Sequence, residues 1–182
     1  MRRATRAILL VLMLLGLAAP ARAQQSEEEE AVPPATAPVP LSTALRNAGY
    51  TLTAEEAAYL DADEEVTEQF LTPLLTVELH APYVQDEYSR QIVLAELRRL
   101  AALDPTATPV APPPTLAELH RLALARRTSL QEAARQWLEG LEANDPAWVA
   151  RGAEAYGRAR QAEADWYALL RQRLSASGPA AP

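Results

Sequence analysis

The chain has 182 residues and a formal net charge of −7 at neutral pH, and its 17 basic residues are all arginine. It has no cysteine, which excludes disulfides, zinc–thiolate sites and thiol catalysis, and the absence of lysine excludes Schiff-base chemistry. An acidic chain of this kind is a poor partner for nucleic acid and for anionic membrane surfaces.

Residues 1–23 have the pattern of a secretory signal peptide. Arg2, Arg3 and Arg6 precede an apolar run over residues 8–17, and a small-x-small sequence ends at residue 23. The apolar run is shorter than the ~20 residues that span a bilayer. We therefore expect export to the periplasm or the extracellular space, with membrane contact only through this peptide before its cleavage.

Residues 24–40 are predicted to form a disordered, acidic tether, because four consecutive glutamates and four prolines leave little apolar surface to bury. Removal of residues 1–23 takes away four arginines and no acids, so the net charge becomes −11. Residues 24–114 hold 4 arginines and 16 acids, whereas residues 115–182 hold 9 arginines and 8 acids. This balance leaves cationic partners, and partners recognised through apolar surface, as candidates.

Residues 41–103 are predicted to form an acidic helical hairpin. A short helix over 41–48 ends at Gly49, and Thr53 opens a longer helix with Glu56 completing a capping box. We expect a proline at position 73 to kink or divide this longer helix.

The second helix of this hairpin is predicted to run from Tyr83 to Leu103. It carries apolar residues on two sides, which indicates a central position in the core. One side carries Val84, Tyr88, Ile92 and Ala95, and the other carries Val93, Leu97 and Leu100. A turn near Ala81 would place the acidic pair 63–64 opposite the arginine pair 98–99.

Residues 104–114 contain five prolines and are predicted to form a semi-rigid, extended connector. At ~3.1 Å per residue the connector reaches ~34 Å. That length suffices either to run back along a helical bundle or to hold two hairpins apart.

Residues 115–175 are predicted to form a second hairpin, followed by a disordered tail at 176–182. Thr115 and Glu118 have the spacing of a capping box. The Asp-Pro sequence at 145–146 has the N-cap and first-turn pattern of a new helix.

Folding the second hairpin about that turn gives a coiled-coil-like seam in which large residues meet small ones. The pairs are Leu141 with Trp148, Trp137 with Gly152, Ala133 with Tyr156, Leu130 with Ala159, Arg126 with Glu163, Ala123 with Trp166, and Leu119 with Leu170. The one charged seam position, Arg126, thus meets its opposite charge. We interpret these residues as a structural seam and its aromatic side chains as core, with a ligand cleft between the helices as the alternative.

These patterns predict an all-α protein with two antiparallel helical hairpins, packed as an irregular four-helix bundle or standing in tandem, and with disordered N- and C-terminal tails. Four apolar residues widen the face of the second hairpin beyond the seam. If exposed, they are the candidate apolar binding surface: Leu122, Leu138, Tyr167 and Leu169.

Two histidines and one acidic run are candidate metal ligands, and the four consecutive glutamates of the tether offer a metal-binding tail as an alternative to a simple tether. His80 and His120 each follow a Glu-Leu pair, but helix residues i and i+2 lie ~200° apart, which separates each glutamate from its histidine. The acidic run at 61–65 lacks the glycine that a calcium loop needs at its sixth position, where Val66 stands. We predict no metal site, with a shared site of the two histidines as the alternative.

The sequence Leu52-Thr53-Ala54-Glu55-Glu56 resembles the LTxxQ signature of small helical periplasmic stress chaperones, with glutamate in place of the family's glutamine. The size, the export signal and the absence of cysteine are also similar. A capping box explains the same five residues. The resemblance implies chaperone-like binding as an alternative function.

The sequence has neither a nucleophile motif nor a glycine-rich phosphate loop, so we predict a protein that is not an enzyme and binds no cofactor. The leading hypothesis is an interaction or scaffold protein of the bacterial cell envelope, with a protein partner or a second copy of itself. The alternatives are a chaperone-like or apolar-ligand-binding protein and a metal site at His80 and His120.

Overall fold

The computed structural model describes the backbone of residues 39–177 and the side chains of residues 39–175. Within these residues it contains six α-helices and no β-strand, which confirms the all-α class. The helices are α1 (Leu41–Asn47), α2 (Ala54–His80), α3 (Glu87–Ala102), α4 (Ala117–Glu142), α5 (Trp148–Arg151) and α6 (Ala153–Ser177). The predicted signal peptide, most of the tether and residues 178–182 lie outside the described residues.

The predicted helix signals of the first half are confirmed at α1 and α2. The Thr53 side chain accepts a hydrogen bond from the Glu56 N–H at 3.1 Å, and the Glu56 carboxylate accepts one from the Thr53 N–H at 3.0 Å. Gly49 follows α1 with a φ of +90°, a left-handed conformation that costs glycine little because it has no Cβ. Pro73 is buried inside α2 and does not divide it.

The helix expected from Tyr83 begins later than predicted. A 3-10 turn at Ala81–Tyr83 follows α2 directly, with a proline in its first positions. The Asp86 carboxylate then accepts a hydrogen bond from the Ser89 N–H at 2.9 Å and caps α3.

The expectation that this helix is central is also wrong, because α3 buries one face only. Its buried apolar residues are Val93, Leu94, Leu97 and Leu100. Tyr88, on the side predicted to be apolar and covered, is exposed. The buried face of α3 packs on α2 and α4.

The prediction of a capping box at the start of α4 is wrong. The Thr115 hydroxyl donates instead to the Glu56 carboxylate at 2.8 Å, and the Glu118 carboxylate accepts hydrogen bonds from Arg121. A 3-10 turn at Pro114–Leu116 precedes the helix, because the prolines of the connector fix the backbone there. Thr115 therefore links the connector to α2.

The last helix is interrupted near its start. The Asp145 carboxylate accepts a hydrogen bond from the Ala147 N–H at 2.9 Å, and the four residues of α5 end at Gly152. The following helix, α6, continues to Ser177. Residues 176 and 177, which the sequence assigned to a disordered tail, are therefore helical.

The buried apolar side chains form two clusters. The first core contains Val66, Phe70, Leu74, Val77, Val93, Leu94, Leu97, Leu100, Leu130, Ala133, Ala134, Trp137, Leu141, Trp148, Ala155 and Ala159. The second core contains Leu41, Leu45, Tyr59, Leu60, Leu116, Leu119, Leu122, Ala123, Trp166, Leu170 and Leu174. Helices α2, α4 and α6 contribute to both cores, whereas α3 contributes to the first and α1 to the second.

No helix within residues 39–177 combines the length and the apolar composition that crossing a membrane requires.

Candidate functional site

Five polar or charged residues form a buried layer between the two cores. They are Asp63 and Thr67 of α2, and Arg126, Arg127 and Gln131 of α4. We call these residues the polar layer. Along α2 and α4 they fall where the side chains of the second core give way to those of the first core. A reactive site inside the protein would have to use these groups.

Asp63 and Arg127 form an ion pair in the interior. Nη1 of Arg127 lies 3.2 Å from Oδ1 of Asp63, and the two side chains are 1% and 5% exposed, respectively. Burial raises the pKa of Asp63 and lowers that of Arg127, opposing the attraction between the two charges. Nε and Nη2 of Arg127 have no hydrogen-bond partner within the described residues. The pair joins α2 to α4 and is closed to solvent.

Arg126 joins three helices. Its Nη2 donates to the Thr67 hydroxyl at 2.6 Å, and its Nη1 lies 3.9 Å from the Glu163 carboxylate, the residue with which the seam pairs it. Arg160 also binds Glu163, at 3.0 Å. A cavity of about 20 Å³ beside Arg126 has room for about one water molecule. It cannot hold an organic substrate.

Tyr59 and His120 form the other polar contact between α2 and α4. The Tyr59 hydroxyl lies 3.1 Å from His120 Nδ1, and the rings meet edge to face at 5.9 Å. Burial, followed by the nearby Asp63 charge, raises the pKa of Tyr59. A buried phenol that holds its proton this firmly is suited to structural hydrogen bonding rather than to proton transfer.

The two histidines do not meet. His120 contacts Tyr59 of α2. His80 lies 21 residues after Tyr59 on the same helix, which places it about 31 Å from Tyr59 at 1.5 Å per residue. The His80 ring contacts Tyr88 instead, with a centroid distance of 6.5 Å. Within residues 39–175 no group of three or more histidine, aspartate or glutamate side chains is placed to hold a metal ion.

The acidic run at 61–65 makes internal contacts. Asp61 accepts hydrogen bonds from the N–H and the hydroxyl of Ser42, at 2.9 and 2.7 Å. Glu64 accepts one from the Leu41 N–H at 2.9 Å. These carboxylates hold α1 on α2.

The expected pairing of residues 63–64 with arginines 98–99 is wrong. Arg98 binds Glu142 at 2.6 Å, and the nearest carboxylate to Arg99 in an ion pair is Glu96, at 3.7 Å. The late start of α3 changes its register, and the acidic pair faces α1 and α4 instead.

The four candidate residues of an apolar binding face are largely covered. Leu122 is buried in the second core, and Tyr167 and Leu169 are partly buried against that core. Leu138 is partly buried against the first core. They do not form an exposed surface.

The seam residues pack as the cores of the protein rather than as a ligand cleft. The buried members are Leu119, Ala123, Arg126, Leu130, Ala133, Trp137, Leu141, Trp148, Gly152, Ala159, Trp166 and Leu170. The Trp137 indole lies where a Cβ on Gly152 would collide with it, and its Nε1 donates to the Val149 carbonyl at 2.9 Å. Trp137 and Tyr156 meet at a centroid distance of 5.4 Å.

Exposed apolar side chains are concentrated at the end where α2 passes into α3. Leu79 is 53%, Tyr83 64% and Tyr88 73% exposed, and Val149 of α5 is 54% exposed. Val149 belongs to the same end, because Arg90 of α3 donates to the Leu141 carbonyl and to Asn144, just before α5. We call the four exposed residues the tyrosine end.

Sequence reasoning missed the tyrosine end. Tyr88 follows the helical spacing of Val84 and Ile92, and that spacing predicts burial for all three. A useful signal was the Asp86-Glu87 pair, which is typical of an exposed helix start and places Tyr88 in the first turn, where less of the chain covers it.

An open groove of about 560 Å³ lies between the start of α2 and the end of the connector. It is lined by Ala54, Glu55 and Ala58 and by residues 110–114. This lining is mostly apolar. The groove is open to solvent, and one of its lining residues, Val110, packs against the second core.

Comparison of the chain with protein-family models, curated proteins and solved structures gave no match.

Proposed function

We propose that the protein is an exported, non-catalytic interaction module of the bacterial cell envelope, located in the periplasm or outside the cell. In this proposal its helices form two antiparallel hairpins, packed as one irregular four-helix bundle and carried on the acidic tether. The observation that supports an interaction role most directly is the tyrosine end, where aromatic and aliphatic side chains are exposed together.

The packing of the two hairpins into one unit is supported by contacts between residues 41–103 and 115–175. Asp63 of the first segment binds Arg127 of the second, and Tyr59 contacts His120. The ion pair is buried and the Tyr59–His120 contact is partly buried, which favours one bundle over two hairpins in tandem.

A non-catalytic role is supported by the surroundings of the titratable groups. The most strongly buried carboxylate, Asp63, faces Arg127, and the cavity beside Arg126 has room for about one water molecule. A general acid or base must come within hydrogen-bond reach of a substrate. The polar layer offers no space for one.

A photo-crosslinking amino acid at position 88 in the native host tests the interaction role. We expect adducts with another protein or with a second copy of the chain, and none from the matched position Val39, which is 46% exposed. Sedimentation of the purified protein as a monomer, together with no adduct from position 88, would refute the proposal. Export is tested by cell fractionation and by N-terminal sequencing, for which we expect a mature chain that starts at Gln24.

Binding of an apolar ligand or an unfolded segment is the second candidate function, favoured by the open groove beside Ala54 and Ala58. The covered position of Leu122 removes the apolar face first considered for it. We expect an Ala58→Trp substitution to fill the groove and abolish binding of a hydrophobic fluorescent dye. Unchanged dye binding by this variant would exclude the groove.

A further inference from the structure

We propose that the tyrosine end binds a polypeptide segment in which arginine or lysine residues lie next to apolar side chains. This inference rests on the proposed interaction function and specifies the chemistry of its partner. It is carried by the exposed rings, by the charges around them and by the rigid backbone that presents them.

The charge around the tyrosine end is strongly negative. The two segments that form this end, residues 76–92 and 139–154, contain seven acids and two arginines. Both arginines have internal partners: Arg90 binds the Leu141 carbonyl, and Arg151 binds Asp145 at 2.6 Å. Of the seven acids, Glu142, Asp145 and Glu154 pair with Arg98, Arg151 and Arg158. A partner therefore meets the carboxylates of Glu78, Asp86, Glu87 and Glu139.

Three of these carboxylates have neutral hydrogen-bond donors as their partners among the described residues. Glu78 accepts from the Tyr156 hydroxyl at 2.6 Å, Asp86 from a backbone N–H, and Glu87 from the Gln91 amide at 2.7 Å. Their negative charges are not neutralised within the described part of the chain. A cationic side chain from a partner would supply the missing charge.

The exposed tyrosines suit such a partner. A tyrosine ring offers a large apolar contact at low entropic cost, and its face attracts an arginine or lysine cation. Tyr83 and Tyr88 flank the acidic pair 86–87, so that apolar and anionic groups alternate along this short stretch. A segment that alternates apolar and cationic groups is complementary to it.

Hydrogen bonds within the chain hold the backbone at this end in place. Asp86 caps α3, and Arg90 fastens the start of α3 to the turn after α4 with hydrogen bonds of 2.7 and 2.8 Å. A preorganised surface loses little conformational entropy on binding. The tyrosine end therefore resembles a built contact surface more than a loop that orders on binding.

Charge complementarity also selects against two other occupants. A second copy docked through the same end would bring two sets of carboxylates together, and like charges at an interface cost several kcal/mol. An anionic lipid surface would be repelled for the same reason.

The test uses the full mature chain and three defined probes. They are an 18-residue amphipathic peptide of leucine and arginine, the same peptide with glutamate in place of arginine, and vesicles of phosphatidylglycerol and phosphatidylcholine. We expect fluorescence anisotropy to detect binding of the arginine peptide alone, weakened by salt because the charges are exposed.

Variants locate the binding surface. Tyr83→Ala with Tyr88→Ala should weaken binding of the arginine peptide about tenfold or more, as expected when aromatic anchors are removed. Glu78→Gln with Glu87→Gln should weaken it less. The matched control is Glu65→Gln, an exposed acid on α2 outside this end, which should have no effect. Equal binding of the glutamate peptide, equal loss in the control or no peptide binding would overturn the inference, and vesicle binding would assign the surface to lipid instead.

The outcome separates this inference from the proposed function. Protein adducts from position 88 without binding of the arginine peptide would leave the interaction role standing and reject the basic partner. Binding of the arginine peptide that survives the two tyrosine changes would show that the acidic chain attracts cations elsewhere.

Discussion

The polar layer and the tyrosine end are opposite exceptions to the rule that apolar groups lie inside and charged groups outside. In the polar layer, the Asp63–Arg127 pair is buried between two apolar cores. At the tyrosine end, Tyr83 and Tyr88 are exposed to water beside unneutralised carboxylates.

The difference between the two regions lies in their partners. Asp63 and Thr67 find theirs on α4 of the same chain, so their effect is to fix how α2 meets α4. The exposed rings of the tyrosine end have no such cover within the described residues. The internal exception is thus explained by contacts within the fold, whereas the external one is the basis of our proposal that this end contacts another molecule.

The largest effect is expected from breaking the polar layer. Asp63→Ala leaves Arg127 buried without its counter-charge, and we expect a loss of about 3–5 kcal/mol in the free energy of unfolding. Urea denaturation followed by circular dichroism measures it. The double variant Asp63→Leu with Arg127→Met removes both charges and should be close to wild type in stability. A loss below about 1 kcal/mol in the single variant would contradict a buried pair.

The next effect concerns the first core, which supports the tyrosine end. A Cβ on Gly152 would collide with the Trp137 indole, whereas one on Gly157 meets no atom within 4 Å. We expect Gly152→Ala to destabilise the protein by about 1–3 kcal/mol. Gly157→Ala, the matched control inside α6, should stabilise it by about 0.5–1 kcal/mol. Thermal denaturation distinguishes the two, and equal melting temperatures would refute the predicted contact.

A smaller loss of stability is expected when a buried tyrosine hydroxyl is removed, and a still smaller one when an exposed tyrosine hydroxyl is removed. Tyr59→Phe removes the hydrogen bond to His120 and should cost about 1 kcal/mol. Tyr88→Phe, at the exposed end, should stay within about 0.5 kcal/mol of wild type. Chemical denaturation of both variants measures the difference. Equal stabilities would mean that the Tyr59 contact contributes nothing.

The smallest effect is expected at Glu56, a surface carboxylate whose pH dependence should differ in sign from that of the buried Asp63. The hydrogen bond from the Thr53 N–H lowers the pKa of Glu56 below its usual 4.5, so its contribution to stability is lost as the pH falls through the lowered value. Because Glu56 is largely exposed, we expect the Glu56→Gln variant to differ from wild type by less than about 1 kcal/mol in the free energy of unfolding. This difference should shrink when the pH falls below 4.5.

Asp63 should show the opposite sign. Burial raises its pKa, so its contribution to stability increases as the pH falls through the raised value. The protonated carboxyl still offers an oxygen acceptor to Arg127, which alanine at position 63 does not. Denaturation midpoints measured between pH 7 and pH 3 for wild type, Glu56→Gln and Asp63→Asn test both signs. A Glu56 contribution that grew on acidification would contradict the capping geometry.

The sequence predicted those features that depend on neighbours along one helix or across one tight turn. The Thr53–Glu56 capping box is such a local signal, and it is confirmed. Arg126 and Glu163 are close for a similar reason, since the short turn after α4 leaves few ways for α6 to pack against it.

The sequence did not predict features that depend on how distant helices meet. Thr115 was expected to cap its own helix, but the chain places Glu56 of α2 within 2.8 Å of its hydroxyl. Arg127 was not recognised as buried, because arginine at a helix position beside the seam normally stays in water. Its burial follows from the position of Asp63, 64 residues earlier in the chain on α2, which no local pattern encodes.

The division of the interior into two cores has a consequence for how the protein opens. Helices α2, α4 and α6 contribute to both cores, so their central amides should exchange with deuterium only through global unfolding. Helix α1 is anchored on the second core alone, and α3 on the first. We therefore expect release of α1 to leave the first core and the tyrosine end protected, whereas release of α3 would open the first core and loosen the tyrosine end.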